Sequence, residues 1–137
     1  MYLIDTNVIS EVRKGRKANR GVIDFWKAVD PDSVYISVLT IGELRSGVEK
    51  IMRRGDVSQG KMLERWLALL IEQYKDRIIS FDEDCAQVWG KLMALQNQHP
   101  IDKQIAAIAL IHDFRIVTRN LKDFEGTGVE IINPFIE

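Results

Sequence analysis

Short apolar runs alternate along this chain with longer stretches in which the apolar residues fall at helical spacing. Tyr2-Leu3-Ile4, Val34 to Val38, Ile78-Ile79, Arg115 to Thr118 and Val129 to Ile132 read as five buried strands. After the first strand come Asp5-Thr6-Asn7, three residues that favour helix N-caps, and then Val8, Ile9 and Val12 at helical spacing. Val22, Ile23, Phe25, Trp26 and Val29 make a second amphipathic helix, closed by Asp30-Pro31-Asp32. Thr40 opens a helix running to about Arg54, with Ile41, Leu44, Val48, Ile51 and Met52 on its apolar face. Gly55 to Gly60 reads as a turn, and Lys61 to Lys75 as a helix striped by Leu63, Trp66, Leu67, Leu70 and Tyr74.

Ser80 and Glu83 have the spacing of a capping box, opening a helix on Cys85, Val88, Trp89, Leu92 and Leu95 that Pro100 ends. Asp102 to Phe114 forms one more helix, almost continuously apolar from Ile105 to Ile111 and therefore expected to be buried on most sides. Strands that are short, apolar and separated by helices imply an α/β fold with a mainly parallel five-stranded sheet and helices on both faces. The two helices flanking Gly55–Gly60 are expected to form a helical hairpin. Residues 1–137 thus read as a single domain.

Composition narrows the function classes. Nineteen basic against twenty acidic side chains leave a net charge of −1, which excludes a nucleic-acid binder working by bulk positive charge. Five of the eight residues from Arg13 to Arg20 are nevertheless basic, so Arg13, Lys14, Arg16 and Lys17 stand as a local patch for RNA phosphates or as a solvated helix end. The single cysteine, Cys85, excludes an intrachain disulfide and any Cys-rich zinc site. The longest apolar run has seven residues against the ~20 of a membrane helix, and the first residues carry no basic leader, so no membrane association and a cytoplasmic location are expected.

Four carboxylates then change the picture. Asp5 follows the first strand, Glu43 lies six residues after Ser37, Asp102 starts the apolar helix, and Asp123 lies five residues after Thr118. Taken singly, each has a plain structural role: a helix cap for Asp5, the N3 acid of a Thr40 capping box for Glu43, a dipole partner for Asp102, a solvated loop residue for Asp123. Three of them follow strands, however, and an open α/β sheet places its functional crevice beyond the carboxyl ends of its strands. Carboxylates gathered there repel one another unless a cation joins them. Oxygen ligands without nearby Cys or paired His suit Mg²⁺ or Mn²⁺ and argue against zinc. The chemistry that follows is phosphodiester hydrolysis.

Leu3-Ile4-Asp5-Thr6-Asn7-Val8-Ile9-Ser10-Glu11 resembles the opening motif of PIN-domain ribonucleases, particularly the VapC and FitB-like toxins of bacterial type II toxin–antitoxin pairs. Thr40 to Gly47, Ile101 to Ala107 and Thr118 to Phe124 are similar to the second, third and fourth motifs, in family order. The resemblance implies a PIN-like fold and a Mg²⁺- or Mn²⁺-dependent endoribonuclease acting as a toxin. It implies Asp5, Glu43 and Asp102 as metal ligands and catalytic residues, with Asp123 as the fourth acid and Asn120 in reserve for that position. Thr6 would orient the Asp5 carboxylate through its hydroxyl. The family also implies a homodimer and a VapB-like antitoxin partner.

Other motifs carry less. Gly55 to Met62 nearly spells a P-loop but has Met62 where a hydroxyl should hold Mg²⁺, and it follows a helix. His99 and His112, thirteen apart, make a poor zinc pair, and His99 sits in a proline loop. Cys85, Trp66, Trp89 and Tyr74 read as packing residues, with a dimer or antitoxin contact as the alternative for Trp66 and Tyr74. A haloacid-dehalogenase-type phosphatase would need a second Asp where this chain has Asn7. The alternative of another class is a non-catalytic RNA- or protein-binding module on the same fold.

Overall fold

The structure, a computed structural model, describes residues 1–137. Strands β1 (Tyr2–Ile4), β2 (Val34–Ser37), β3 (Ile78–Ile79), β4 (Arg115–Val117) and β5 (Ile131–Ile132) form one sheet in the order β3-β2-β1-β4-β5. Every neighbouring pair is parallel, with Leu3 opposite Tyr35 on one side and Ile116 on the other. Helices α1 (Thr6–Val12), α2 (Arg20–Ala28), α3 (Val38–Arg53), α4 (Val57–Gln73), α5 (Glu83–Leu95) and α6 (Pro100–His112) provide the crossovers.

The pleat sends alternate side chains to opposite faces, so each strand feeds two cores. Ile4, Ile36 and Val117 pack against Val8 and Ile9 of α1, Val22 of α2, Val48 of α3, and Leu67 and Leu70 of α4. Leu3 and Ile116 pack on the other face with Cys85 and Leu92 of α5, Ile105, Ala106, Ile108 and Ala109 of α6, and Phe124. The chain moves outward from β1 through β2 to β3, then returns to the far side of β1 as β4. This reversal puts a crevice between the carboxyl ends of β1 and β4. Asp5 stands at its edge, its N–H donating to the carbonyl of Val117 at 2.9 Å.

Several element ends differ from the sequence expectation. The second strand stops at Ser37, because the Ser37 hydroxyl accepts the Thr40 N–H at 3.2 Å and caps α3. Thr40 is therefore no cap, and Glu43 lies in the second turn of α3 and is no capping-box acid. The turn after α3 is short: Gly55 takes a φ of +91°, Asp56 caps α4, and helix resumes at Val57. Asp82 caps α5 through the Cys85 N–H at 2.9 Å, in place of Ser80. Pro100 begins α6 rather than ending α5, which closes at Leu95, as suits a ring that fixes φ and lacks an N–H. Residues Ile105 to Ala109 of α6 are buried, whereas Leu110, Ile111 and His112 are exposed. Arg45 of α3 pairs with Glu64 of α4 at 2.8 Å across the helical hairpin.

Candidate active site

Asp5 is buried with 3% of its surface exposed, and each of its oxygens is engaged. Oδ1 accepts the Thr6 N–H at 2.9 Å, which caps α1, and Oδ2 accepts the Thr118 hydroxyl at 2.9 Å and the Asn7 amide at 3.3 Å. Thr118, fully buried just past β4, also accepts from the Asn7 amide at 3.1 Å and from the Asn120 N–H at 3.0 Å. Asn7 in turn accepts the Arg119 N–H at 3.0 Å, so it ties the two strand ends of the crevice together.

The Thr6 hydroxyl serves a different acid from the one expected. It donates to Oε1 of Glu43 at 2.7 Å and lies 3.2 Å from the Thr40 hydroxyl. The reason is geometric: Thr6 is the first residue of α1, and its side chain faces α3 while its N–H faces back to Asp5. Thr118 performs the orienting role on Asp5 that the sequence assigned to Thr6.

Asp102 lies in the first turn of α6 and is partly buried. Burial, and then the charges of Asp5, Asp123 and Glu43, push its carboxyl up to about 6, with His99 opposing. Asp5 is also raised, chiefly by burial, against the hydrogen bonds from Thr118 and Thr6 and with Glu43 and Asp123 adding to the rise. The four acids named from sequence therefore stand within one another's fields. Asp123 occupies the 3-10 turn Leu121–Phe124, half-buried, while Asn120 is exposed and caps that turn without a side-chain bond.

One residue set aside in the sequence reading stands beside these acids. His99 precedes α6 and places Nδ1 3.9 Å from Oδ2 of Asp102 and Nε2 3.7 Å from Oδ1 of Asp123. One ligand atom from each of the three lies within 4.8 Å of the others. The signal in the sequence was the spacing His-Pro-x-Asp, which sets the imidazole three residues before a helix N-terminal acid. His112, by contrast, stacks on Phe114 with centroids 5.4 Å apart.

The basic run divides. Lys14 is paired with Glu11 at 2.9 Å, Arg20 with Asp24 at 3.2 Å, and Arg13 lies 5.8 Å above the Trp66 ring. Arg16 and Lys17 are exposed. Arg13 also lines a groove of about 170 Å³ with Thr6, Ser10, Glu43 and Trp66, which leads from Glu43 along α1. Cys85 is fully buried and Tyr74 nearly so, as packing residues are. The P-loop-like stretch is mostly the first turn of α4 and forms no loop. No helix is long and apolar enough to cross a membrane.

The PIN domain family profile matches residues 2–129. The chain is 35% identical to the plasmid stability protein StbB of Pseudomonas syringae pv. tomato, over 98% of this chain and 99% of that one. It is 32% identical to the VapC ribonuclease Y4jK of Sinorhizobium fredii over 98% of each. Toxin FitB of Neisseria gonorrhoeae is 29% identical over 98% of the chain. The crystal structure of FitAcB from the same organism superposes with a TM-score of 0.86 over 98% of both chains, at 29% identity. With the sheet order, the four acids and these likenesses in agreement, this chain belongs to the PIN-domain family.

Proposed function

We propose that the chain is a divalent-metal-dependent endoribonuclease and the toxin of a toxin–antitoxin pair. The observation that carries the reading is the gathering of Asp5, Glu43, Asp102 and Asp123 at the β1/β4 crevice, close enough that their charges and burial lift Asp102 to about 6. A surplus of carboxylates, one buried and three partly buried, with one exposed imidazole nearby fits a hard cation, Mg²⁺ or Mn²⁺. Asp5, Glu43 and Asp102 would hold it, with Asp123 rather than Asn120 as the fourth acid. When bound, the cation supplies Lewis-acid polarisation of the phosphodiester and a lowered pKa for an attacking water.

The chain's own residues do the rest. Thr118, Asn7 and the Thr6 N–H fix both oxygens of Asp5, and the Thr6 hydroxyl fixes Glu43, so two acids are pre-oriented before any substrate arrives. The groove from Glu43 to Arg13 would give an RNA strand a path off the site, with Arg13 as a phosphate contact and Lys14, Arg16 and Lys17, next along the chain, as further ones. The toxin assignment is supported by the VapC ribonuclease and FitB toxin relatives, and with it come a VapB-like antitoxin, a homodimer and a cytoplasmic place of action.

The test is RNA cleavage by the purified chain. Activity is expected to vanish with EDTA, return with Mg²⁺ or Mn²⁺, and be lost in Asp102→Asn. Sequencing RNA ends after brief induction, with Asp5→Asn as control, identifies the target. A chain that binds RNA but never cleaves it, with any divalent ion, would return the protein to the non-catalytic module.

A further inference from the structure

We propose that His99 is itself a ligand of the cation at this site, so that one end of the site is a nitrogen–oxygen donor set of His99, Asp102 and Asp123. The inference rests on the carboxylates being a cation site and goes beyond that reading in naming a ligand and the metal preference it imposes.

The spacing of the donors is the first support. Nδ1 of His99 lies 3.9 Å from Oδ2 of Asp102 and its Nε2 3.7 Å from Oδ1 of Asp123, both longer than a hydrogen bond, and a single cation would take one of these two nitrogens. Donor atoms bound to one first-row cation at about 2.0–2.2 Å stand roughly 3–4 Å apart. One atom from each of the three residues lies within 4.8 Å of the others, so small side-chain rotations bring the set onto one ion. A ring that merely paired with either carboxylate would close to hydrogen-bond length.

The second support is how firmly the loop presents the ring. His99 holds a left-handed backbone, φ +53° and ψ +59°, uncommon for a residue with a side chain. Its carbonyl accepts the Lys103 N–H at 3.0 Å. The Lys103 ammonium, on a residue only 3% exposed, donates to Oε1 of Gln96 at 3.1 Å and to the carbonyl of Gln98. The indole of Trp89 donates to the Pro100 carbonyl at 3.0 Å. A buried ammonium and an indole are thus committed to the residues on either side of His99. Lys103 is a positioning residue in this arrangement, on the same first turn of α6 as Asp102.

The consequence is selectivity. Mg²⁺ dehydrates reluctantly and takes oxygen ligands, whereas a nitrogen donor binds every first-row divalent transition ion better than it binds Mg²⁺, Mn²⁺ being the weakest of that series. A site with His99 in its donor set favours Mn²⁺ over Mg²⁺ more strongly than the four carboxylates alone.

The experiment is electron paramagnetic resonance of the full chain loaded with Mn²⁺, with calorimetry of Mn²⁺ and Mg²⁺ binding alongside. Nitrogen hyperfine coupling is expected on the bound Mn²⁺, changing when histidine is ¹⁵N-labelled and disappearing in His99→Asn but not in His112→Asn. Asparagine tolerates the left-handed backbone, so the loop is retained. His99→Gly, which also accepts that conformation, should behave alike. The ratio of Mn²⁺ to Mg²⁺ affinity should fall about tenfold in both His99 variants. Bound Mn²⁺ without nitrogen coupling, or an unchanged ratio, overturns the role of His99 alone. Absence of any Mn²⁺ binding, with Asp102→Asn calorimetrically identical to the native chain, overturns the cation site and this inference together.

Discussion

At Asp102, burial and three neighbouring acids raise the carboxyl from 3.8 to about 6, and the sign of that shift fixes how the metal-free protein responds to pH. Below 3.8 both the folded and unfolded chains hold the proton; above about 6 neither does, and the folded chain carries the cost of a crowded anion. The stability that Asp102 takes away is therefore lost as pH rises between those values. In EDTA, Asp102→Asn is expected to melt several degrees above the native chain near neutral pH, the gap closing near pH 4. Equal melting temperatures at both pH values would show that Asp102 does not feel its neighbours. Asp5→Asn should keep the α1 cap, because Asn caps as well as Asp. Its fold should survive while cleavage falls by more than the roughly 10–100-fold typical of losing a partner that only supports a metal ligand. Both acids were legible in the sequence because each sits in a motif at a strand or helix end. His99 was not, since its nearness to Asp123 depends on a left-handed residue that no periodicity reports.

At the level of elements, the helical hairpin shows where pattern reading succeeds and where it slips. The apolar stripes of α3 and α4 located both helices, but the N-cap of α4, Asp56 accepting the Gln59 N–H at 3.3 Å, was hidden between two glycines. Reading Gly55 to Gly60 as one turn placed Gly60 outside the helix. Its actual role is spacing: a Cβ there would stand 2.4 Å from Cγ of Met52, so α3 and α4 approach over a missing side chain. Gly60→Ala is expected to lower stability by about 1–3 kcal/mol despite the better helix propensity of Ala. Shortening the opposing residue in Gly60→Ala/Met52→Ala should recover part of that loss in a denaturant titration. A neutral or stabilising Gly60→Ala would mean that the hairpin is loosely packed. The Thr40 misreading has a similar origin, because Ser37 and Thr40 are both good caps and only the sheet's end decides between them.

For the whole molecule, the five-stranded sheet and its parallel pairing followed from strand–helix alternation, whereas the strand order β3-β2-β1-β4-β5 is known only from the structure. What alternation does not report is which outer surface stays uncovered. On α4, Leu69 is 71% exposed and Met62 55%, next to the partly exposed Ile71. Between α1, α2 and α4 runs a second groove, of about 260 Å³, lined by Val12, Arg13, Trp26, Trp66, Leu70 and Tyr74. Arg13 and Trp66 also line the groove that reaches Glu43, so a chain lying across α1 and α4 has a direct way to the acids. An amphipathic antitoxin helix seated there, with a basic side chain among Asp5, Glu43 and Asp102, would neutralise the charge that a cation otherwise meets. The prediction separates surface from stability. Leu69→Glu alters an exposed residue, so its melting temperature should stay within the range of ordinary surface changes, ~0.5 kcal/mol. In sizing experiments the native chain is expected to run as a dimer and to bind the product of an adjacent small gene, with cleavage suppressed in the complex. Leu69→Glu should weaken self-association or capture at least tenfold while the free chain still cuts RNA. A monomeric native chain that ignores that product, or a complex that cleaves undiminished, would remove the toxin–antitoxin assignment and leave a nuclease standing alone.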